Sequence, residues 1–334
     1  MKKAVLTAVI ILSFSALIFA GGNQDVSNEA SADGRPAGYP KKTIEVILPV
    51  NAGAALDLHF RALESAIDLG GPVAIINMGG ASQTLGITEA SKRPGNGYNI
   101  VCSAFAGLVI QPHVLDLPYT QSDFRHIVAL NQASGVSMAT LPGSGINSFE
   151  DLLARLERGE SFTFTTSNAA NVSHLAILSV LDQLNIPEEL AIYVSYSGTA
   201  EVMTALLGGH VDVAIFDTDF LAEKVETGQM NCIAVLENEP NPKIPGSPSI
   251  SKFGVKNMDA FKGFLWVAVP KDTPDEIVEY LKKKMNEGLM SESYQSFLAT
   301  IKKSMTETPT EEEITAALKK ATDIYGSLIQ KYLK

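Results

Sequence analysis

The chain has 334 residues, of which 46% are hydrophobic and 19% are charged, and its formal net charge is −11. This length exceeds one ordinary hydrophobic core and suits two domains, and the composition excludes an intrinsically disordered chain. The negative charge excludes binding to nucleic acid or anionic lipid through the general field of the protein, whereas local hydrogen-bond donors can still bind a small anion.

The N-terminus has the pattern of a secretory signal. Two lysines precede an apolar run over residues 4–19, and small residues follow it. We expect export with cleavage after Ala20; the alternative is an uncleaved membrane anchor, for which the run is near the lower length limit. Because residues 1–20 contain two lysines and no acid, their removal changes the net charge from −11 to −13.

Residues 21–40 consist largely of Gly, Asn, Ser, Ala and Pro, and we interpret them as a flexible tether. After the tether, short apolar runs alternate with helical patterns, and small-residue loops join them. The first half of this region predicts strands at 43–48, 73–76 and 99–103 and helices at 56–67 and up to Ser91.

The same alternation returns after Ser148, which has the spacing of a capping box with Asp151. Two C-terminal helices are predicted to start at Thr273-Pro274 and at Thr310. Strands that alternate with helices predict an α/β fold with parallel sheets covered on both faces. The strands of this second half are predicted at 162–165, 192–194, 211–216, 232–236 and 263–270.

Residues 191–219 are the most informative stretch. An apolar run enters the loop Ser195-Tyr196-Ser197-Gly198-Thr199, a short amphipathic helix follows, and a second apolar run ends at Asp217. Because the loop has little bulk, backbone N–H groups at the helix start are open to a ligand, and a helix N-terminus favours negative charge. The small-residue loops all lie at strand-to-helix junctions. They therefore gather at one edge of each sheet, and two such edges facing each other form a cleft.

The sequence carries no recognisable catalytic or metal-binding motif. None of the five histidines is paired at i, i+4 with another ligand residue, and GxSxG, GxxxxGK[ST] and GxGxxG motifs are missing. We therefore expect a protein that is not an enzyme and uses no metal or cofactor, with a hydrolase or isomerase of dispersed site as the open alternative. Cys102 and Cys232 do not form a CxxC motif and lie in strand-like runs, and we expect two buried free thiols.

Several segments resemble one known family, in order along the chain. Tyr39-Pro40 followed by TIEVILPVNAGAALD resembles the opening Y-P-x-(K/R)-x-I-x-(L/I)-(I/V)-V-P-x-x-x-G-G-x-x-D of the solute-binding proteins of tripartite tricarboxylate transporters, the TctC/Bug-type receptors. PGNGYNIV is similar to the family's PDGYTLL, and LPYTQSDFRHIVAL to its LPYDPxxDFxPVAL. SYSGTAEVMTALLGGHVDVAIFD is similar to PYKGxGPAxxALLGGxVDxxFxD, and KDTPDEIVEYL to AGTPxxVVxxL.

The resemblance implies an α/β, two-lobed periplasmic binding protein of type II-like fold. Each lobe would be a sheet flanked by helices, with the ligand cleft between the lobes. Lobe 1 would comprise 41–138 plus 265–334, and lobe 2 would comprise 139–264. Such receptors capture a small carboxylate and deliver it to membrane transporter subunits, so we expect an exported, monomeric receptor in the periplasm. The alternative is a module that senses its ligand and signals to a membrane kinase.

Carried over by position, the resemblance implies ligand contacts from loops of both lobes. The backbone amides and hydroxyls of these loops would hold the ligand. Lobe 1 would contribute Gly53, Ala54, Ala55, Asp57, Ala81, Ser82, Gln83, Ser103 and Ala104. Lobe 2 would contribute Ser167, Asn168, Ser173, His174, Ser197, Gly198, Thr199 and Asp217.

Two of these residues have alternative interpretations, and several positions depart from the family pattern. Asp57 is either a ligand or loop-bracing residue or an ordinary acid at a helix start, and His174 is either a cleft donor or a solvated surface residue. Ala54 stands in place of the second glycine of the first loop, Met78 in place of an arginine, and Ser197 in place of a lysine. The cleft is thus less basic than in many relatives, and a monocarboxylate or a neutral polar solute remains open.

Overall fold

The structure is a computed structural model, and the residues it describes are 34–131, 135–169, 171–196, 198–301, 303 and 305–334. The predicted signal peptide, most of the predicted tether and the candidate site residue Ser197 lie outside them. Tyr39, inside the predicted tether, is buried, and its hydroxyl donates a hydrogen bond of 2.6 Å to the Gly97 carbonyl. The packed chain therefore begins within the segment that the composition assigned to the tether.

Ten strands and eleven α-helices follow one another along the described residues. The strands are β1 (Ile44–Leu48), β2 (Val73–Asn77), β3 (Asn99–Ala104), β4 (Phe124–Ala129), β5 (Val136–Thr140), β6 (Phe162–Thr165), β7 (Ala191–Tyr193), β8 (Val213–Asp217), β9 (Asn231–Val235) and β10 (Leu265–Pro270). The helices are α1 (Ala55–Glu64), α2 (Thr84–Ser91), α3 (Phe105–Val109), α4 (Gln111–Val114), α5 (Phe149–Glu157), α6 (Val172–Gln183), α7 (Thr199–Leu207), α8 (Thr218–Glu226), α9 (Asp275–Leu289), α10 (Glu292–Thr300) and α11 (Glu311–Tyr332).

The strands form two five-stranded sheets with corresponding orders, β2-β1-β3-β10-β4 and β7-β6-β8-β5-β9. In the first sheet β1 is parallel to β2 and β3, whereas β10 is antiparallel to β3 and β4. In the second sheet β6 is parallel to β7 and β8, whereas β5 is antiparallel to β8 and β9. The predicted α/β class is confirmed, but the expectation of purely parallel sheets is wrong.

The antiparallel strand of each sheet is the one that connects it to the other sheet. Along the chain, β4 of the first sheet is followed by β5 of the second sheet. Likewise, β9 of the second sheet is followed by β10 of the first sheet. A parallel neighbour needs a crossover connection, usually a helix, whereas a strand that arrives from another sheet is free to run in the opposite direction. The alternation of strands and helices therefore predicts the direction of strands joined by crossovers within one sheet, but not that of β5 and β10.

Helix α11 packs against both halves of the molecule. It contacts β4 and α3 in the first half and α6 in the second. The buried Tyr325 donates a hydrogen bond of 2.8 Å to the Ala260 carbonyl, and the Tyr332 hydroxyl lies 2.8 Å from Asp182 Oδ1 at the end of α6. The largest hydrophobic cluster accordingly contains residues of both sheets and of α11. Burial of this shared apolar surface holds the halves together.

The two cysteines lie in different sheets. Cys102 is in β3 and Cys232 is in β9, and both are free thiols, as the sequence predicted. Cys102 is fully buried, whereas Cys232 is only partly buried. Burial nevertheless raises the pKa of the Cys232 thiol to about 11, so the thiol is protonated and a poor nucleophile at neutral pH.

Candidate functional site

The loop after β1 is braced by Asp57, which is 1% exposed in the first turn of α1. Its carboxylate accepts hydrogen bonds from the Gly53 N–H (2.8 Å), from Arg61 Nε (3.0 Å) and from Asn77 Nδ2 (2.9 Å). The bond from Arg61 is the main cause that lowers the pKa of Asp57 to about 2. The geometry therefore favours the loop-bracing interpretation of Asp57, while residues 53–55 remain exposed or half-buried.

Gln83 connects the loop after β2 to the end of β3. Its Oε1 accepts hydrogen bonds from Ser103 Oγ (2.7 Å) and from the Ala104 N–H (3.0 Å). Ala81, Ser82 and Gln83 have φ angles of 45°, 52° and 78°, a region that residues other than glycine rarely adopt. Strained backbone of this kind is concentrated at functional sites. The structure thus brings these five predicted residues together at the carboxyl edge of the first sheet, with Ala81 and Ser82 exposed.

His174 is buried behind the second-lobe loops, at 3% exposure in the first turn of α6. Its ring stacks on Tyr193 with 4.1 Å between the centroids and 17° between the planes. The Asn171 side chain caps the helix by accepting a hydrogen bond of 2.8 Å from the His174 backbone N–H. Burial lowers the pKa of His174 to about 4, so the ring is neutral at pH 7. The interpretation as a solvated surface histidine is therefore wrong.

A cavity of about 460 Å³ opens at the carboxyl edge of the second sheet. Four predicted site residues, Ser167, Ser173, Thr199 and Asp217, line it. Ser173 is in the first turn of α6, Thr199 begins α7, and Asp217 directly precedes α8. The N–H groups of a first helical turn have no acceptor within the helix, and the helix dipole favours negative charge there. Three helix N-termini therefore meet at one cavity. Asn171 caps α6 and the Asp217 carboxylate caps α8, whereas α7 has no side-chain cap, so the N–H groups of α7 are the ones most open to an anion.

The other described second-lobe candidates border this cavity without lining it. Gly198 immediately precedes α7, and a Cβ added at this position would meet no atom within 4 Å. Asn168 is exposed, and its carbonyl accepts a hydrogen bond of 2.7 Å from Thr166 Oγ1. The loop before α7 is therefore open at its glycine, as its lack of bulk predicted.

The opposite wall of the cavity comes from a segment that the sequence did not suggest. Ile301 and Lys303 line it, and they follow α10, which packs against α1 and α9 in the first half of the molecule. None of the predicted first-lobe residues is in this lining. Asp219 and Phe220 also line the cavity, and they lie in the first turn of α8, directly after Asp217. Helix α8 was not predicted from the sequence; that helix would have indicated both residues. Lys303 lies in a connection without a motif and offered no signal.

Acids outnumber bases among the described residues of the cavity wall, where Asp217, Asp219 and Glu223 face Lys303. Lys243 donates a hydrogen bond of 2.6 Å to Asp219 from outside the cavity and neutralises part of this charge. Over the described ranges, no group of three His, Cys, Asp or Glu residues is placed to hold a metal ion. Of the helices in the described part, none is both long and apolar enough for a membrane span.

Comparison with known proteins decides the family. The sequence profile of TctC, described as "Tripartite tricarboxylate transporter family receptor", matches residues 60–331. The chain belongs to this family. BugT of Bordetella pertussis is 26% identical over 263 residues, which are 76% of this chain and 78% of that protein. The predicted resemblance to TctC/Bug-type receptors is thus confirmed.

Solved structures of TctC-type proteins share the fold. A TctC solute-binding protein from Polaromonas is similar with a TM-score of 0.77 at 23% identity, covering 88% of this chain and 99% of that chain. MatC from Rhodopseudomonas palustris with bound malate is similar with a TM-score of 0.64 at 18% identity, covering 87% and 100% respectively. The predicted two-lobed fold, with a helix-flanked sheet in each lobe, is therefore confirmed.

Proposed function

We propose that this TctC-family protein is an exported receptor that captures a small carboxylate-type metabolite between its lobes and delivers it to a tripartite tricarboxylate-type membrane transporter. The observation that carries the proposal is the cavity at which the N-termini of α6, α7 and α8 meet, opposite the segment that follows α10. Helix N-termini bind carboxylates through unsatisfied N–H groups and the helix dipole.

The donors around this cavity are sufficient for a metabolite receptor. A micromolar complex requires about 8 kcal/mol of binding free energy. Each hydrogen bond to a charged ligand contributes about 1.5–3 kcal/mol, before the cost of ordering is subtracted. The hydroxyls of Ser167, Ser173 and Thr199 and the uncapped first-turn N–H groups of α7 supply three to four such bonds. Malate, which MatC binds, is a ligand of the size that a cavity of about 460 Å³ accommodates.

In this proposal the loops of lobe 1 complete the site when the lobes close. Residues 53–55 and 81–83 follow β1 and β2, and residues 103–104 end β3, so all three segments lie at the carboxyl edge of the first sheet, where open α/β sheets bind ligands. The predicted boundary between residues 138 and 139 falls inside β5, which pairs within the second sheet, so we assign the whole of β5 to lobe 2 and keep β10 and the C-terminal helices in lobe 1. The two connections between β4 and β5 and between β9 and β10 act as the hinge.

The same proposal includes a location and a partner. The lysines and the apolar run of residues 1–20 support cleavage after Ala20 and release into the periplasm, where we propose that the protein acts as a monomer. Membrane transporter subunits are the partner that the TctC family description supports. N-terminal sequencing of the protein from a periplasmic extract is expected to begin at Gly21. A chain that retains residues 1–20 would contradict release.

Isothermal titration calorimetry tests the receptor function. The secreted protein is unfolded, dialysed free of bound solute, refolded, and titrated with malate, succinate, citrate, propionate and benzoate. We expect at least one carboxylate to bind with micromolar affinity and to remain chemically unchanged in mass spectra after incubation. Failure of the whole panel would contradict the receptor, and turnover of a bound acid would favour an enzyme.

A further inference from the structure

Lys303 brings a positive charge to the ligand cavity from the opposite lobe. Among the described residues that line the cavity, it is the one basic side chain, and its side chain is 28% exposed. It follows α10, which is anchored in the core of the first lobe by the fully buried Tyr294 and Leu298. The charge therefore belongs to one lobe, whereas the three helix N-termini at the cavity belong to the other.

The ion pair that Lys303 makes is loose and can be exchanged. Its Nζ lies 3.7 Å from Asp219 Oδ2, whereas Lys243 Nζ lies 2.6 Å from Oδ1 of the same carboxylate. Because Lys243 makes the closer contact, Lys303 can leave Asp219 without leaving that carboxylate unpaired. A partly exposed pair of this kind contributes little to stability, so its loss in the free protein has a small cost.

We infer that Lys303 is a specificity-determining residue that exchanges Asp219 for a carboxylate of the bound solute. The inference rests on the proposed receptor function and concerns the same cavity. The helix N-termini of the second lobe favour an anion but also bind neutral acceptors, because N–H groups donate to both. A lysine from the first lobe adds a charge–charge attraction that only an anionic group receives, so it selects acids over neutral polar solutes of the same shape and favours closure around them.

Matched pairs of acid and amide probes test this selection. Lys303→Met keeps an apolar stem of similar length and removes the charge. We expect the affinity for malate and succinate to fall about tenfold or more, the loss of one charge-assisted hydrogen bond. Binding of malamide and succinamide, the uncharged diamides of the same shape, is expected to stay within about twofold of its wild-type value. Lys303→Arg retains the charge and is expected to retain most of the preference for the acid.

Asp219→Asn tests the exchange itself. Removal of the Asp219 charge frees Lys303 in the ligand-free protein. We therefore expect Asp219→Asn to raise the affinity for malate when Lys303 is present. The same substitution in Lys303→Met is expected to give no rise, because no lysine remains to be released. A rise of equal size in both backgrounds would be a general electrostatic effect of losing one acid and would contradict the exchange. Calorimetry on the four proteins completes the cycle.

The control and the outcomes separate this inference from the receptor function. Lys271→Met removes a lysine that pairs with Asp123 at 3.3 Å away from the cavity, and it is expected to bind malate like the wild type. If Lys303→Met binds an acid of the panel as tightly as the wild type does, the proposed role of Lys303 is overturned and the receptor function is retained. Equal losses for acid and amide overturn it too, since they indicate packing. Wild-type protein that binds no acid of the panel overturns both.

Discussion

Polar side chains next to the ligand loops support the backbone of those loops. Asp57 accepts the Gly53 N–H, Gln83 accepts the Ala104 N–H, and His174 packs on Tyr193 behind the cavity. Each of these polar groups is used within the protein, so the groups left for a ligand are N–H groups and hydroxyls of small residues. Substitution at these positions is therefore expected to show first in the stability of the loops.

Asp57→Asn is expected to lower the free energy of unfolding by about 2 kcal/mol at pH 7. The folded pKa of about 2 lies below the ordinary value of 3.8, so the contribution is present above about pH 4 and is lost as the pH falls toward 2. Urea unfolding from pH 7 to pH 3 measures it, and the difference from the wild type should narrow toward pH 3. Asp116→Asn, at an exposed position, is the control and should stay within about 0.5 kcal/mol.

Strand-to-helix junctions are the units of the site at the scale of secondary structure. The carboxyl end of β3 is tied to the start of α2 through Gln83, and the end of β7 leads to the bare N-terminus of α7 at Gly198. The first junction is held by side-chain acceptors and the second is kept clear of side chains. Mutation at the first junction is therefore expected to change stability, and mutation at the second is expected to change ligand binding.

Gln83→Leu should destabilise the protein by about 1–3 kcal/mol, because it leaves the Ser103 hydroxyl and the Ala104 N–H without this acceptor. Ser103 is fully buried, so water cannot readily replace the lost oxygen. Gln83→Glu keeps an acceptor at the same position and should lie nearer to the wild type. Chemical denaturation of the three proteins measures the effect, and equal stability of both variants would contradict the assigned contacts.

Gly198→Leu should reduce carboxylate binding more than tenfold without unfolding the protein. The glycine has extended backbone angles that any residue adopts, and an added Cβ meets no atom within 4 Å, so the substitution is not strained in the free protein. The side chain would instead occupy space in front of the α7 N–H groups. Calorimetry with a series of Gly198→Ala, Val and Leu should show losses that grow with volume at a nearly constant Tm. Near-normal affinity for Gly198→Leu would place this loop outside the ligand site.

The whole molecule is two similar sheets joined by two connections and by α11. Three histidines are buried in this assembly: His59 and His126 in the first lobe and His174 in the second. Burial lowers the pKa of each to about 4, and a nearby Lys303 adds to the effect at His59. His126 Nδ1 has no hydrogen-bond partner among the described residues, so the cost of charging this ring is not offset there.

Stability is expected to fall between pH 7 and pH 5 by about 2 kcal/mol for each of these histidines. The unfolded chain takes up protons near pH 6.5, whereas the folded chain does so only near pH 4. Stability is therefore full above about pH 6.5 and is lost as the pH falls toward 4. Urea unfolding at pH 7, 6 and 5 tests this, and His126→Leu should remove about a third of the pH dependence. A flat wild-type profile over this range would contradict the burial of all three rings.

Local patterns in the sequence predicted much of the fold and four of the residues that line the cavity. The capping boxes at Ser148–Asp151 and Thr310–Glu313 are present in the structure as their spacing indicated, because a cap depends on residues three apart. The small-residue loops at strand ends were correctly located for the same reason. The strands β4 and β5 were overlooked, and with them the antiparallel pairings of both sheets.

The sequence by itself determined the alternation of strands and helices, the bare loops between them and the membership of the TctC family. These depend on periodicity, bulk and motifs within a few residues of one another. Only the tertiary structure decided the direction of β5 and β10, the burial of His174, and the wall of the cavity formed by Ile301 and Lys303. Each of these is set by packing between elements far apart in the chain. Lys303 meets Asp219, a residue 84 positions earlier, and no local sequence pattern extends over that separation.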